Sequence, residues 1–203
     1  MTERPTAAER WLLVTVCLSA GQASLRVHVW RKLRSLGAVY LQSSVCMLPD
    51  RAAVLKEVRR LLDRVNHEGG NGRMLHLQLT DPTEVHWLRA EFDAARDQEY
   101  GEVLERLPSL SAEIATERAK GRTTYAEVEE SEADLDRFHS WLAKIDKRDY
   151  FRAPLGTQAR EAVAEVARDL EAFEAQALDA EAPSATAGPA LRVVRERKKP
   201  ASS

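Results

Sequence analysis

The feature that most constrains this chain is the apolar run WLLVTVCL, Trp11 to Leu18. It is continuous and rich in β-branched residues, and its length suits a strand covered on both faces rather than a helix. It falls far short of the roughly 20 apolar residues that cross a bilayer, so it predicts no membrane span. Gly21 ends the run and the period then changes. From Ser24 to Leu36 the residues Leu25, Val29, Leu33 and Leu36 recur at helical spacing, with Ser24 placed to cap the start and Gly37 to end the helix.

Two short β-type runs follow, AVYLQ and SVCML, divided by polar Ser43 and closed by Pro49. They read as paired strands with a tight or bulged connection. Asp50 offers a cap to a second helix whose stripe is Val54, Val58, Leu61 and Val65, broken at Gly69 and Gly70. RMLHLQL, Arg73 to Leu79, alternates again with Leu75, Leu77 and Leu79 on one face, and predicts a fourth strand. The order strand, helix, strand, strand, helix, strand is the split βαβ, ferredoxin-like plan, with helices on one face of an antiparallel-rich sheet. If Leu12, Val14 and Val16 face those helices, Trp11, Leu13 and Cys17 point the other way, and the second half of the chain or another subunit must cover them.

Beyond this unit the pattern is helical. Asp81-Pro82-Thr83-Glu84 is a capping box, and Val85, Leu88, Phe92, Ala95, Val103 and Leu107 keep a helical period up to Pro108, which should break or kink the chain. A second box, Thr124 to Glu127, opens a helix with Val128, Leu135, Phe138, Leu142 and Ile145 on one side, and a third helix after Thr157 carries Val163, Val166, Leu170 and Phe173. After Leu178 the chain turns to Ala, Pro, Ser and charge, with too little apolar surface to offset ordering entropy. The fold class expected is therefore α+β: a ferredoxin-like unit over 9–81, a helical part over 82–178 packed on it, and a disordered tail over 179–203.

The formal net charge of −2 conceals unequal halves: residues 1–80 hold twelve Lys and Arg against six Asp and Glu, and residues 81–203 hold eighteen against twenty-six. A basic first half suits an anionic partner, nucleic acid or an oxyanion. The start MTERPTAAER lacks a basic-then-apolar signal pattern, and the chain is 44% hydrophobic and 31% charged, which points to a globular protein of the cytoplasm.

No phosphate loop, dinucleotide-binding glycine pattern, nucleophile elbow or H-E-x-x-H is present, so no cofactor is expected. The glycines at 69, 70 and 72 lead into a strand, which makes them a turn. His28, His67, His76, His86 and His139 are scattered without ligand spacing, and Cys17 and Cys46 form no C-x-x-C, so no metal site is expected. The two cysteines fall on neighbouring strands, which allows a redox-sensitive pair, although small buried hydrophobes are the simpler reading. The carboxylates from Glu127 to Asp136 spread around a helix and read as a solvated face. The helix Ser24 to Leu36 stands apart. It has no acidic residue, carries Arg26, Arg31, Lys32, Arg34 and His28, and sets Trp30 between Arg26 and Arg34 at successive i, i+4 steps, an anion-binding ridge or else an ordinary exposed face with Trp30 packed on the second half.

The stretch WLLVTVCLSAGQASLRVHVWRKLRSLGAVYLQSSVCMLPD resembles the opening of the chromate-resistance ChrB family, with its S-x-L-R-V-x-V-W-R-x-L-x-x-L-G-A helix followed by L-Q-x-S-V and L-P. IDKRDYF, Ile145 to Phe151, is similar to that family's R-D-x-F stretch, so the resemblance covers roughly residues 9–175. More loosely the pattern is similar to the central domain of PaaX-type repressors and to small CRISPR-associated nucleases, but the strand end Leu18-Ser19-Ala20 lacks the carboxylate a nuclease would place there. The resemblance implies a bacterial, chromate-responsive transcriptional regulator that binds promoter DNA without catalysis, with chromate as effector. Full-size members add a C-terminal domain after this one. The expected nucleic-acid or oxyanion contacts are Arg26, Arg31, Lys32, Arg34 and Trp30, in a homodimer joined through the uncovered sheet face. The alternatives are a thiol-dependent chromate handler using Cys17 and Cys46, and an interaction module acting beside a separate C-terminal-type domain.

Overall fold

A computed structural model of the chain describes residues 9–120 and 125–181. The elements in order are β1 (Arg10–Cys17), α1 (Ala23–Ser35), β2 (Val39–Gln42), β3 (Val45–Pro49), α2 (Ala52–His67), β4 (Asn71–Gln78), α3 (Pro82–Lys120), α4 (Tyr125–Asp146) and α5 (Leu155–Glu181). The strands form one antiparallel sheet in the order β2-β3-β1-β4, so the fold is α+β, with the split βαβ unit leading into a mostly helical second part. The β2–β3 connection is the bulged hairpin that the polar break suggested, with the register slipping between Tyr40 and Gln42.

Strand alternation sorts the core. Leu12, Val14, Cys46 and Leu48 face the two helices and pack with Leu25, Val29 and Leu33 of α1 and with Val54, Val58, Leu61, Leu62 and Val65 of α2. The opposite face holds Trp11 and Met47, covered by Leu88 and Phe92 from the first turns of α3 and by Tyr150 and Phe151. The second half of the chain thus supplies a cover. It is partial: Leu75, on the same face, stays 55% exposed. Beyond Phe92 the long α3 leaves the sheet and joins α4 and α5 in a bundle centred on Tyr100, Leu107, Ile114, Ile145, Val163 and Phe173.

Local punctuation differs from expectation at four places. Ser24 does not cap α1; the helix begins one residue earlier behind Gln22, whose amide oxygen accepts from the Ser19 N–H (2.9 Å) and whose amide nitrogen donates to the Glu68 carbonyl (2.7 Å). Asp50 does not cap α2, because its carboxylate is taken by His76 (3.0 Å) and Arg10 (3.5 Å), and extended Arg51 precedes the helix instead. Pro108 does not break α3: buried Val103, Leu107, Leu110 and Ile114 anchor the helix on both sides of it, which outweighs one lost hydrogen bond. Helix α5 starts at Leu155 rather than after Thr157, since Asp97 accepts the Leu155 N–H at 2.8 Å. The Asp81 cap is present, its carboxylate accepting the Thr83 N–H at 2.8 Å. Thr124 of the second box, and the tail from residue 182 onward, lie outside the described residues.

The segment Arg148 to Phe151 fastens the two parts together. Tyr150 donates its hydroxyl to the Leu36 carbonyl at 2.7 Å, and Arg51 donates to the Tyr150 carbonyl at 3.2 Å. Nearby, Glu99 accepts from Arg96 and Arg148, each at 3.1 Å. Gly37 sits at φ +75° against this cluster, where an added Cβ would meet Arg96 Nη1 at 2.8 Å and Arg148 Cβ at 2.9 Å. Only glycine fits both constraints.

Candidate functional site

The cationic helix foreseen from the sequence forms, and it divides into two flanks. Leu25, Val29 and Leu33 bury one stripe of α1 and leave the rest to solvent. On the flank toward α2, Lys32 is ion-paired with Glu57, and His28 meets the Arg64 guanidinium at 3.2 Å. The hydrogen bond and charge of Lys32 hold Glu57 below the usual carboxylate range. Lys32 is therefore committed within the helix layer. On the other flank Arg26 donates to the carbonyls of Leu18 (3.2 Å) and Ser19 (3.0 Å), and Arg34 lies over the Trp30 ring at 5.1 Å. Trp30 does not pack on the second half; it is 46% exposed. Arg31 is exposed and has no partner among the described residues.

Helix α2 extends this surface. Its apolar stripe leaves Lys56, Arg59, Arg60 and Arg64 exposed beside α1. Arg60 reaches Glu57 at 3.3 Å and Arg64 reaches Glu68 at 2.6 Å, while Lys56 acts on Glu57 through its charge alone and Arg59 has no partner among the described residues. Attention to the acid-free helix alone missed these cations. The signal was present in the sequence, because positions 56, 59 and 60 lie off the stripe 54, 58, 61, 65. The result is a two-helix layer whose outward face carries a surplus of positive charge over Glu57, Asp63 and Glu68.

Between α1 and the sheet lies a cleft of about 530 Å³, with Arg26, Trp30, Tyr40, Cys17 and Cys46 among its lining residues. The two thiols differ. Cys46 is buried opposite Val14, and burial pushes its thiol from the ordinary 9.0 up to about 12. Cys17, the last residue of β1, is exposed and three positions beyond Val14, so the two are not cross-strand partners; the reading of both as buried hydrophobes holds for Cys46 only. Tyr40 is also raised to about 12, chiefly by burial and further by Cys46, against an opposing pull from Arg34. Both groups are neutral donors at neutral pH.

Elsewhere the carboxylate run on α4 is mostly solvated, with Glu127, Glu130 and Asp134 lining a small cavity of about 130 Å³ against Glu113 and Glu117 of α3. Among the described residues no group of three or more His, Cys, Asp or Glu side chains could hold a metal ion, and no helix is long and apolar enough to cross a membrane.

Residues 26–184, from α1 to just past α5, match the family described as "Protein ChrB, N-terminal". Over 116 residues the chain is 29% identical to "Protein ChrB" of Cupriavidus metallidurans (strain CH34), a stretch that covers 57% of this chain and 35% of that protein. The match thus spans about a third of the curated relative's length.

Proposed function

The chain belongs to the ChrB N-terminal family, and on that premise we propose that it is a chromate-resistance-associated regulatory module that binds nucleic acid, without catalysis, through the outer face of α1 and α2. The observation that carries the reading is the surplus of exposed cations on the outer side of the two-helix layer: Arg31 and Arg34 on α1 and Arg59 on α2 have no carboxylate partner among the described residues, and Lys56 is exposed with only a charge interaction with Glu57. Such groups attract phosphates, and phosphate contacts position a protein on a duplex without reading its sequence. Trp30 under Arg34 adds an aromatic surface at the edge of the layer. Lys32, tied to Glu57, contributes less than its exposed neighbours.

The test is titration of the purified protein with its own upstream promoter duplex and a scrambled duplex, at low and moderate salt, with and without chromate. Promoter-selective binding that chromate alters supports a self-sufficient regulator. Absence of selective binding under every condition removes that role and leaves an interaction module acting beside a partner that supplies the family's further domain.

A second reading rests on Cys17, which is exposed at the same cleft as Arg26. A thiol that reduces or senses an oxyanion needs access and thiolate character. Cys17 has the access, and Cys46, buried and pushed up to about 12, has neither. Labelling of the native protein at Cys17 that chromate abolishes would favour this reading over the first.

A further inference from the structure

The cleft beside α1 has the character of a ligand site, and it shares only Trp30 with the proposed interface. It holds about 530 Å³, within the range of roughly 300–1,000 Å³ usual for small-molecule pockets. Its walls are mainly apolar, from Val14 and Val16 of β1, Val29 and Trp30 of α1, and Tyr40 and Cys46 of the β2–β3 hairpin. No carboxylate is among its lining residues.

Two features at its rim indicate what it takes. Val27 and Trp30, each 46% exposed, leave large apolar side chains in water on a helix whose inner stripe is fully packed. Arg26 folds back beside them. Its Nη2 is held by the Leu18 and Ser19 carbonyls, which fixes the guanidinium at the cleft while its remaining N–H donors have no partner among the described residues. A preset guanidinium beside an apolar hollow is complementary to a molecule with an apolar body and an anionic head.

The geometry points to a binding site for a small organic anion, with an aromatic or branched aliphatic body against Val16, Val27, Trp30 and Tyr40 and a carboxylate or sulfonate on Arg26. A tetrahedral inorganic oxyanion would occupy a fraction of the volume and leave the apolar wall uncovered. The site shares Trp30 with the nucleic-acid reading but none of its cations, since Arg31, Arg34, Lys56 and Arg59 are not among the lining residues.

The test uses the full chain and the fluorescent probe 8-anilinonaphthalene-1-sulfonate, with neutral N-phenyl-1-naphthylamine as its uncharged counterpart. The expected result is saturable binding of both, displacement of the sulfonate by 2-naphthoate, and no displacement by sulfate at the same concentration. Arg26→Gln should weaken the sulfonate about tenfold, equivalent to about 1.4 kcal/mol, and leave the neutral probe unchanged. Val16→Phe, which fills the cleft, should weaken both probes; where circular dichroism shows that variant unfolded, Ser44→Trp at the hairpin turn of the mouth carries the same expectation. Binding of both probes undiminished by the filling variant overturns the site and moves the probes to other exposed apolar surface such as Leu75 or Trp87. Sulfate competing as well as naphthoate overturns the organic body, and an Arg26→Gln effect that is absent or equal for the two probes overturns the anionic head.

Discussion

In the α1–α2 layer Arg31, Arg34, Lys56 and Arg59 stand outward in solvent, whereas at the junction with the helical part Arg96 and Arg148 turn inward onto Glu99, with Arg96 only 6% exposed. Arg160 stays exposed but is also committed, its Nη1 donating to Asp146 at 2.7 Å beside Tyr100. The same residue type serves two purposes. In the first region its charge is available to a partner; in the second it is spent on ion pairs that hold α3, the α4–α5 connection and the end of α1 in register. The apolar side chains divide likewise, since the bundle closes over its own core while the cleft beside α1 leaves Val27 and Trp30 open. The charge of a region is informative only when its partners are known.

Four changes put this contrast to the test. The largest effect is expected at the seam: Phe92→Ala removes a fully packed ring that meets Trp11 at 5.6 Å and Phe151 at 5.5 Å, and should cost about 3–5 kcal/mol in urea unfolding. Alkaline pH acts next, on the cleft. Because burial raises Cys46 from 9.0 to about 12, the folded chain keeps a proton that the unfolded chain releases, so the stability it contributes is full below pH 9 and is lost as pH climbs toward 12. Unfolding free energy should fall by up to about 1.4 kcal/mol per pH unit in that window, and Cys46→Ala should flatten the slope. Tyr150→Phe deletes only the hydroxyl bonded to Leu36 and should cost about 1 kcal/mol. The smallest effect belongs to Arg31→Ala with Arg34→Ala, which should leave the melting free energy within about 0.5 kcal/mol of the parent, since neither side chain holds a fold contact beyond the Arg34–Trp30 stacking. A large loss there would mean that the exposed cations are structural after all.

Much of the fold was legible because it rests on periodicity. The continuous run Trp11 to Leu18 and the stripes Leu25, Val29, Leu33 and Val54, Val58, Leu61, Val65 are written into spacing alone, and they identify the central strand and the helices that cover it. Caps were less legible. Asp50 and Ser24 have the right chemistry for capping, but long-range partners decide: His76 and Arg10 claim Asp50, and Gln22, which carries no capping signature, bridges the Ser19 loop to Glu68. Pro108 was misleading for the same reason, as tertiary packing on both sides overrides a local breaker. Within the candidate site, the sequence located the cations of α1 but not the commitment of Lys32 to Glu57, nor the share taken by α2, because both depend on which flanks of the two helices meet. The cleft was invisible to spacing, being assembled from β1, α1 and the β2–β3 hairpin.

The central claim is that the outer face of α1 and α2 is the nucleic-acid surface, and the most direct test is the salt dependence of duplex binding for the parent chain and for the variant with Arg31, Arg34, Lys56 and Arg59 all changed to Ala. The account predicts a steep loss of affinity with salt for the parent, and a slope of log K against log salt shallower by about 3–4 in the folded variant. An unchanged slope and affinity in the variant would contradict it and assign any binding to another part of the chain.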